Sequence, residues 1–323
     1  MLSGRKIIAA GFAPGGFFFA AVLLLAGCSH SLGQQMSQLR ATDLPPSAEI
    51  QQTPFFPQER YQCGPAALAT VLTNSGADAD SEQLVPQVYL PAREGSLQAE
   101  LLAATRRHDR LPYVINPVMI DLLREISDDR PVLVLQNLGL SWYPKWHYAV
   151  VVGYDLNSQR MVLRSGTMRR KTMPMSLFDH TWRRSNRWAM VVTNPTEVPI
   201  TATEANFLMT ILPFEQARKW STANTAYRAA AKRWPESLGA AMGTGNTYYQ
   251  MGKKADAEQA YRVALTIDSN HAPAHNNLAQ VLLERHRLIE AQEHARQAVA
   301  IGGPLRESYQ QTLNEIEQQL KRR

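Results

Sequence analysis

The chain has 323 residues, of which 45% are hydrophobic and 19% charged, so it can fill about two globular domains. This composition excludes wholesale disorder, collagen and disulfide scaffolds. The formal charge at pH 7 is +6, and removal of Arg5 and Lys6 with the N-terminal segment leaves +4. The basic clusters are scattered and lack an aromatic platform, so no nucleic-acid partner is predicted.

Residues 1–27 have the pattern of a secretory signal peptide. A basic start precedes the apolar run Phe17–Leu25, which is too short to span a bilayer. Residues 25–28 resemble the lipobox of bacterial lipoproteins, which implies that Cys28 is lipidated and becomes the first mature residue. Ser29 then implies the outer membrane, facing the periplasm. We expect a lipid anchor in that membrane; the alternative is an uncleaved anchor helix.

Residues 28–52 are polar and are predicted to form a flexible tether. Residues 53–198 are predicted to form an α+β domain, because helical segments come first and β-rich runs later. The predicted helices are 64–73 and 97–107, the second with Ser96 as its N-cap. The predicted strands are Pro131–Leu135, Tyr148–Tyr154, Met161–Leu163 and Trp188–Val192.

Residues 204–323 repeat with a period of 34, which places Ala257 over Ala291 and Ala264 over Ala298. The pattern resembles tetratricopeptide repeats, in which small residues let two helices pack closely. It predicts an all-α solenoid with units at 204–237, 238–271 and 272–305, followed by a capping helix. Pro213 is expected to interrupt the first helix. The repeats are expected to recruit a protein partner or substrate; an unrelated helical bundle is the alternative.

Cys63 is the candidate nucleophile. The chain has only two cysteines, so lipidation of Cys28 leaves Cys63 without an intramolecular disulfide partner. At the start of a helix its sulfur would face unpaired backbone N–H groups, and we therefore expect a lowered pKa. Pro65 fits the first helical turn. The alternative is a small buried hydrophobic residue.

His147 is the candidate base for that nucleophile. It stands at the mouth of the strand Tyr148–Tyr154, directly after the aromatic segment 142–146, which we expect to form a cleft wall. The remaining histidines lie in a charged segment, in a loop or in the repeats.

The segment Gln58–Leu72 followed by His147–Asp155 resembles the papain-like fold of bacteriocin-processing, or double-glycine, cysteine peptidases. It is most similar to lipoproteins that join such a domain to tetratricopeptide repeats. The resemblance implies that Cys63 is the nucleophile and that His147 is the general base and then the acid. It also implies that Gln58 supplies an oxyanion-hole donor beside the Cys63 N–H, with Gln62 as the second choice.

The sequence departs from this family at the third catalytic position. Relatives carry an Asp on the strand after the histidine hairpin, where this chain has Ser165. Ser165 is expected to orient His147 as a neutral acceptor, which is weaker than a carboxylate because it does not stabilise imidazolium. Asp155 is expected to serve the hairpin turn.

These patterns predict a membrane-anchored cysteine peptidase that cuts a peptide bond through a thioester, with no cofactor and no metal. The alternative is a weak or inactive papain-like domain that binds peptides as a scaffold. Peptidoglycan hydrolysis is a third reading, disfavoured because that papain-like family usually presents Asp-Cys-Ser.

Overall fold

The computed structural model describes residues 43–57 and 62–322, and the part from Leu44 onward forms one compact unit. Cys28 and Gln58 lie outside the described residues. Strand β1 (Ser47–Glu49) falls within the segment predicted to be a tether, so the folded chain begins earlier than expected. Among the described residues, no helix is both long and apolar enough to cross a membrane.

An antiparallel sheet forms the centre of the first domain. Its strands are β1, β4 (Leu111–Val114), β5 (Val132–Asn137), β6 (Trp146–Asp155), β7 (Arg160–Ser165), β8 (Met168–Pro174) and β9 (Ala189–Thr193). The order is β4-β9-β5-β6-β7-β8, and β1 pairs with the end of β6. The long strand β6 is therefore internal, which fixes the residues along it. A separate hairpin consists of β2 (Tyr89–Leu90) and β3 (Gly95–Ser96).

Helices cover both faces of this sheet. They are α1 (Cys63–Asn74), α2 (Ser81–Val88), α3 (Gln98–Arg107), α4 (Met119–Ser127) and α5 (Met175–Arg183). Residues of α1 to α3 share one core cluster with Leu133 and Val150 of the sheet. Side chains along a strand alternate between the two faces of the sheet, so Val134 and Val151 lie on the face opposite to Leu133 and Val150. They are also buried, and α4 and α5 contact these strands from that face.

The expected N-cap at Ser96 is wrong. Helix α3 begins one residue later, with Leu97 in the cap position and no side-chain capping bond. Ser96 instead belongs to β3, and its carbonyl oxygen accepts a hydrogen bond from the Tyr148 hydroxyl at 3.2 Å. Pairing in the hairpin therefore takes precedence over capping at this serine.

Helix pairs form the second part of the chain. They are α6 (Glu204–Gln216) with α7 (Trp220–Arg233), α8 (Leu238–Gln250) with α9 (Lys254–Ile267), and α10 (Ala272–Glu284) with α11 (Leu288–Ile301), followed by α12 (Arg306–Lys321). The rings of Tyr227 and Tyr261 lie against Gly243 and Gly245, where an added Cβ would come within 2.5 Å of ring carbon. Tight helix contacts thus depend on these glycines. The expected interruption at Pro213 is wrong, because α6 continues to Gln216.

The join between the two parts is held by hydrogen bonds. Glu125 in α4 is fully buried and accepts bonds from the backbone N–H and hydroxyl of Thr201, at 2.9 and 2.6 Å. The Tyr113 hydroxyl accepts a bond from the N–H of Thr203 at 3.3 Å. Lys219, which precedes α7, donates to the carbonyl oxygen of Arg106 at 2.9 Å. The first repeat is therefore fixed against the sheet domain.

Candidate active site

Cys63 and His147 line the same cleft, which has a volume of about 1030 Å³. Cys63 is the first residue of α1, and His147 is the second residue of β6. Helix α1 packs against β6, so the helix start and the strand start meet at one end of the sheet. The two residues predicted to carry the chemistry are thereby brought together on internal, rigid elements.

The start of α1 is tightly packed. Gly64 is buried, and a Cβ at this position would lie 2.2 Å from Oγ of Ser96. Only glycine therefore lets β3 approach the helix beside Cys63. Gln62 occupies the N-cap position without a side-chain capping bond. The backbone N–H groups of Cys63 and Gly64 at this end face the sulfur of Cys63, and the N–H of Ala66 donates to the carbonyl oxygen of Gln62 at 3.3 Å.

The expected lowering of the Cys63 pKa is wrong. Burial raises the pKa of the thiol, because a thiolate is poorly solvated there, although backbone hydrogen bonds from Tyr148, Gly64 and Cys63 itself act in the opposite direction. Cys63 also packs against the core cluster. The free thiol is therefore protonated near neutral pH.

Ser165 contacts His147 directly. Nε2 of His147 lies 2.8 Å from Oγ of Ser165. The sheet register explains this contact, because Val150 pairs with Arg164, which puts Ser165 diagonally opposite His147 on one face. Among the described residues, no hydrogen bond involves Nδ1 of His147. Nδ1 is therefore the ring nitrogen without a hydrogen-bond partner in the described part of the chain.

The imidazole of His147 is held in its neutral form. Burial, followed by the positive charge of Lys171, lowers the pKa of His147 to about 4. Together with the raised pKa of Cys63, this makes a neutral thiol and a neutral imidazole the resting pair. No carboxylate among the described residues hydrogen-bonds to His147 to favour imidazolium.

The remaining candidate residues lie elsewhere. Oδ1 of Asp155 accepts bonds from the N–H groups of Asn157 and Ser158 at 2.8 and 2.9 Å, which is the expected turn role. Gln62 is not among the residues that line the cleft. In the described part of the chain, no group of three or more His, Cys, Asp or Glu side chains is arranged to hold a metal.

Tyr148 and Ser96 were missed by the sequence analysis. Tyr148 connects the histidine strand to β3 through its hydroxyl and to Trp188 through an edge-to-face ring contact with centroids 6.0 Å apart. The sequence did indicate Tyr148 in part, because this residue directly follows the candidate base. Ser96 carries no local signal, because its contact with Gly64 spans 32 positions of sequence.

Two family models match the sequence. A Peptidase_C39-like family model covers residues 50–190, and a tetratricopeptide-repeat model covers residues 214–272. The chain thus resembles a C39-like family over residues 50–190 and tetratricopeptide repeats over residues 214–272. The predicted resemblance and the α+β and all-α fold classes are thereby confirmed. The C39-like match includes α1, strands β4 to β8 and the residues that line the cleft.

Several solved repeat proteins are similar to part of this chain. The first repeat domain of human RPAP3 is 16% identical, with 36% of this chain and 92% of that chain covered and a TM-score of 0.35. The type III secretion translocator chaperone SycD of Yersinia enterocolitica is 18% identical, with 36% and 83% covered and a TM-score of 0.34. The TPR2B domain of yeast Sti1, in complex with pHsp70, is 18% identical, with 36% and 99% covered and a TM-score of 0.35. No curated protein matches the chain.

Proposed function

We propose that this protein is a cysteine peptidase, lipid-anchored at the bacterial outer membrane and facing the periplasm, whose repeats recruit a protein partner or substrate. One observation carries the peptidase proposal: Cys63 begins a helix in the same cleft as His147, whose Nε2 contacts Ser165. The membrane proposal rests on the lipobox resemblance around Cys28 alone.

Catalysis begins from the neutral pair. Nδ1 of His147 accepts the thiol proton as Sγ of Cys63 attacks the peptide carbonyl carbon. The backbone N–H of Cys63 stabilises the oxyanion, with a glutamine side chain as its proposed second donor. Imidazolium then protonates the leaving amine, and water hydrolyses the thioester. In this scheme Nε2–H donates to Oγ of Ser165, which fixes the tautomer that leaves Nδ1 free to accept the proton.

A peptide-binding scaffold without turnover is the second candidate. It is favoured by the absence of a carboxylate hydrogen-bonded to His147 in the described part of the chain, and by the raised pKa of Cys63. A neutral hydroxyl stabilises imidazolium less than a carboxylate does, so the ion pair that activates many thiol peptidases is disfavoured.

Cleavage of a degenerate peptide library by the full-length chain tests both candidates. We expect products from the unmodified protein and none from Cys63→Ala, with nearly equal melting temperatures. Arg183→Gln, an exposed change outside the cleft, is the matched control and keeps activity. The scaffold is supported if the unmodified protein and Cys63→Ala both retain peptides and neither forms products. Equal cleavage by these two proteins contradicts a role for Cys63.

A further inference from the structure

One end of the cleft holds a partly buried guanidinium that has no carboxylate partner. Nη1 of Arg184 donates to the carbonyl oxygen of Gly139 at 2.5 Å, while its buried Nε has no hydrogen-bond partner. Among the described residues, no salt bridge involves Arg184. Nη2 of Arg184 forms no hydrogen bond in the described part of the chain and is not among the buried unpaired atoms, so this end of the guanidinium can pair with an anionic ligand in the cleft.

A second cation lies next to the same glycine. The backbone N–H of Lys145 would be 2.7 Å from a Cβ at Gly139, and Lys145 also lines the cleft. Its exposed ammonium forms no salt bridge within the described part of the chain. The backbone of Lys145 and the guanidinium of Arg184 thus both contact Gly139. A planar guanidinium with parallel N–H donors fits a carboxylate, and an ammonium adds a nearby positive charge.

Aromatic side chains stand beside these cations. Tyr143 and Trp146 line the cleft and are 67% and 55% exposed. Their loop is fixed, because Oδ1 of Asn137 accepts bonds from the N–H groups of Gly139 and Lys145, both at 2.9 Å. Rigid Tyr and Trp side chains offer apolar contact area at a low entropy cost. The wall therefore fits a peptide that combines an apolar residue with a carboxylate.

A peptide is favoured over a lipid surface as the occupant. The cations and two aromatic rings face the cleft that contains Cys63, whereas the more exposed Trp142, at 81%, does not line it. A bilayer contact would use the outermost residues of the loop, while a bound peptide would use those that line the cleft.

We propose that Arg184 and Lys145 form a carboxylate-binding subsite, and that the bound peptide places an apolar residue on Tyr143 and Trp146 beside that carboxylate. This inference rests on the proposed function, because it names the substrate class of the same cleft. The carboxylate belongs either to an Asp or Glu side chain or to the C-terminus of the peptide.

Peptide retention by the immobilised full-length Cys63→Ala protein tests the subsite without requiring turnover. Two pools of N-acetylated random hexapeptides are applied, one with a free C-terminus and one amidated, and the retained peptides are sequenced by mass spectrometry. Enrichment of Asp or Glu in the amidated pool supports a side-chain carboxylate. Retention of the free pool alone supports a C-terminal carboxylate. Retention without either preference, or no retention, overturns the inference.

Charge variants in the Cys63→Ala background give the matched comparison. Lys145→Gln and Arg184→Gln are expected to weaken binding of carboxylate peptides about tenfold, which corresponds to one charge-assisted hydrogen bond, and to leave amide analogues unaffected. Melting curves check that the loop stays folded in each variant. The neighbouring Arg183→Gln, outside the cleft, keeps full binding. Equal losses in all three variants overturn the subsite.

Two further results separate this inference from its alternatives. Vesicles of phosphatidylglycerol that displace peptides from the unmodified chain, but not from a Trp142→Ala variant, assign the loop to a lipid surface and overturn the subsite. Cleavage of library peptides without any preference for carboxylates also overturns it, while the peptidase proposal stands. Carboxylate-selective retention by Cys63→Ala, with no cleavage by the unmodified protein, supports the subsite and contradicts the peptidase proposal.

Discussion

Nε2 of His147 lies 2.8 Å from Oγ of Ser165, so a neutral hydroxyl occupies the position next to the imidazole for which the family resemblance implies a carboxylate. This contact depends on the pairing of β6 with β7, which brings residue 165 diagonally opposite residue 147. The two strands therefore orient His147 as a base, but Ser165 provides no negative charge to stabilise the imidazolium form.

Ser165→Asp is expected to supply that charge. A carboxylate at this distance favours imidazolium, so the pKa of His147 rises from about 4 toward its ordinary value and the thiolate form of Cys63 becomes more populated. We expect faster alkylation of Cys63 by iodoacetamide at pH 6 to 7, measured by intact-mass spectrometry. Ser165→Ala is the control and gives no acceleration. Identical pH profiles for the Asp and Ala variants contradict the orienting contact.

The unmodified protein is expected to show a late-titrating thiol. Because burial raises the pKa of Cys63, the alkylation rate climbs through pH values above the free-cysteine pKa of about 8.5. The measurement is the iodoacetamide rate between pH 5 and 10. A rate that is already level at pH 7 shows a preformed thiolate and contradicts the neutral resting pair.

Gly64→Ala is expected to disrupt the packing around Cys63. The new Cβ meets Oγ of Ser96 at 2.2 Å, so β3 must move away from the start of α1. We expect a lower melting temperature and a loss of library cleavage. The double variant Gly64→Ala/Ser96→Gly removes the clash and recovers most of both losses. Additive losses in this double-mutant cycle would falsify the contact.

Glu258 is expected to be a stability determinant of the repeats. Its side chain is only 3% exposed and pairs with Arg262, Arg285 and Arg287. Glu258→Gln replaces the buried carboxylate shared by three partly exposed cations with a neutral amide, while Arg262 and Arg287 keep Glu290 as a partner, so we expect a loss of about 1 kcal/mol in the free energy of unfolding. Urea denaturation measures it. Glu307→Gln, at an exposed position, is the control, and an equal effect of the two changes contradicts the prediction.

Stability is expected to fall in mild acid. The folded-state pKa of His147 is about 4, below its ordinary 6.5, and burial also lowers the pKa of His294. Between these pH values the unfolded chain takes up protons that the folded chain does not, so lowering the pH from 6.5 to 4 favours unfolding. Thermal melts across this range measure the loss. His147→Gln should flatten the curve, and an unchanged slope contradicts neutral burial of His147.

The fold was predictable where one segment carried its own pattern. The apolar runs anticipated β5, β6, β7 and β9, and the 34-residue period anticipated the helix pairs. Strand β8 was missed because its Arg-rich sequence lies at a sheet edge, where one side needs no strand partner. Strand β1 was missed because three polar or small residues become ordered only by pairing with β6.

The candidate residues of the site could be predicted from the sequence, but the shift in the pKa of Cys63 could not. Cys63 and His147 stand out by their positions at element starts, and the serine next to His147 could be anticipated from the order of the hairpin. The direction of the shift in the pKa of Cys63 could not be anticipated. The helix start favours the thiolate, whereas burial by β3 and β6 opposes it. Which effect is larger depends on contacts between distant segments. Arg184 was missed for the same reason.

Under the proposed function, the hydrogen bonds that connect Thr201 and Thr203 to Glu125 and Tyr113 would affect how targets are selected. Since the connection is pinned, a protein held by the repeats stands at a constant offset from the sulfur of Cys63. Its chain can reach the cleft only if a free segment of sufficient length extends from the held region. Targets would therefore be selected by the number of residues between the region that the repeats bind and the bond that is cleaved.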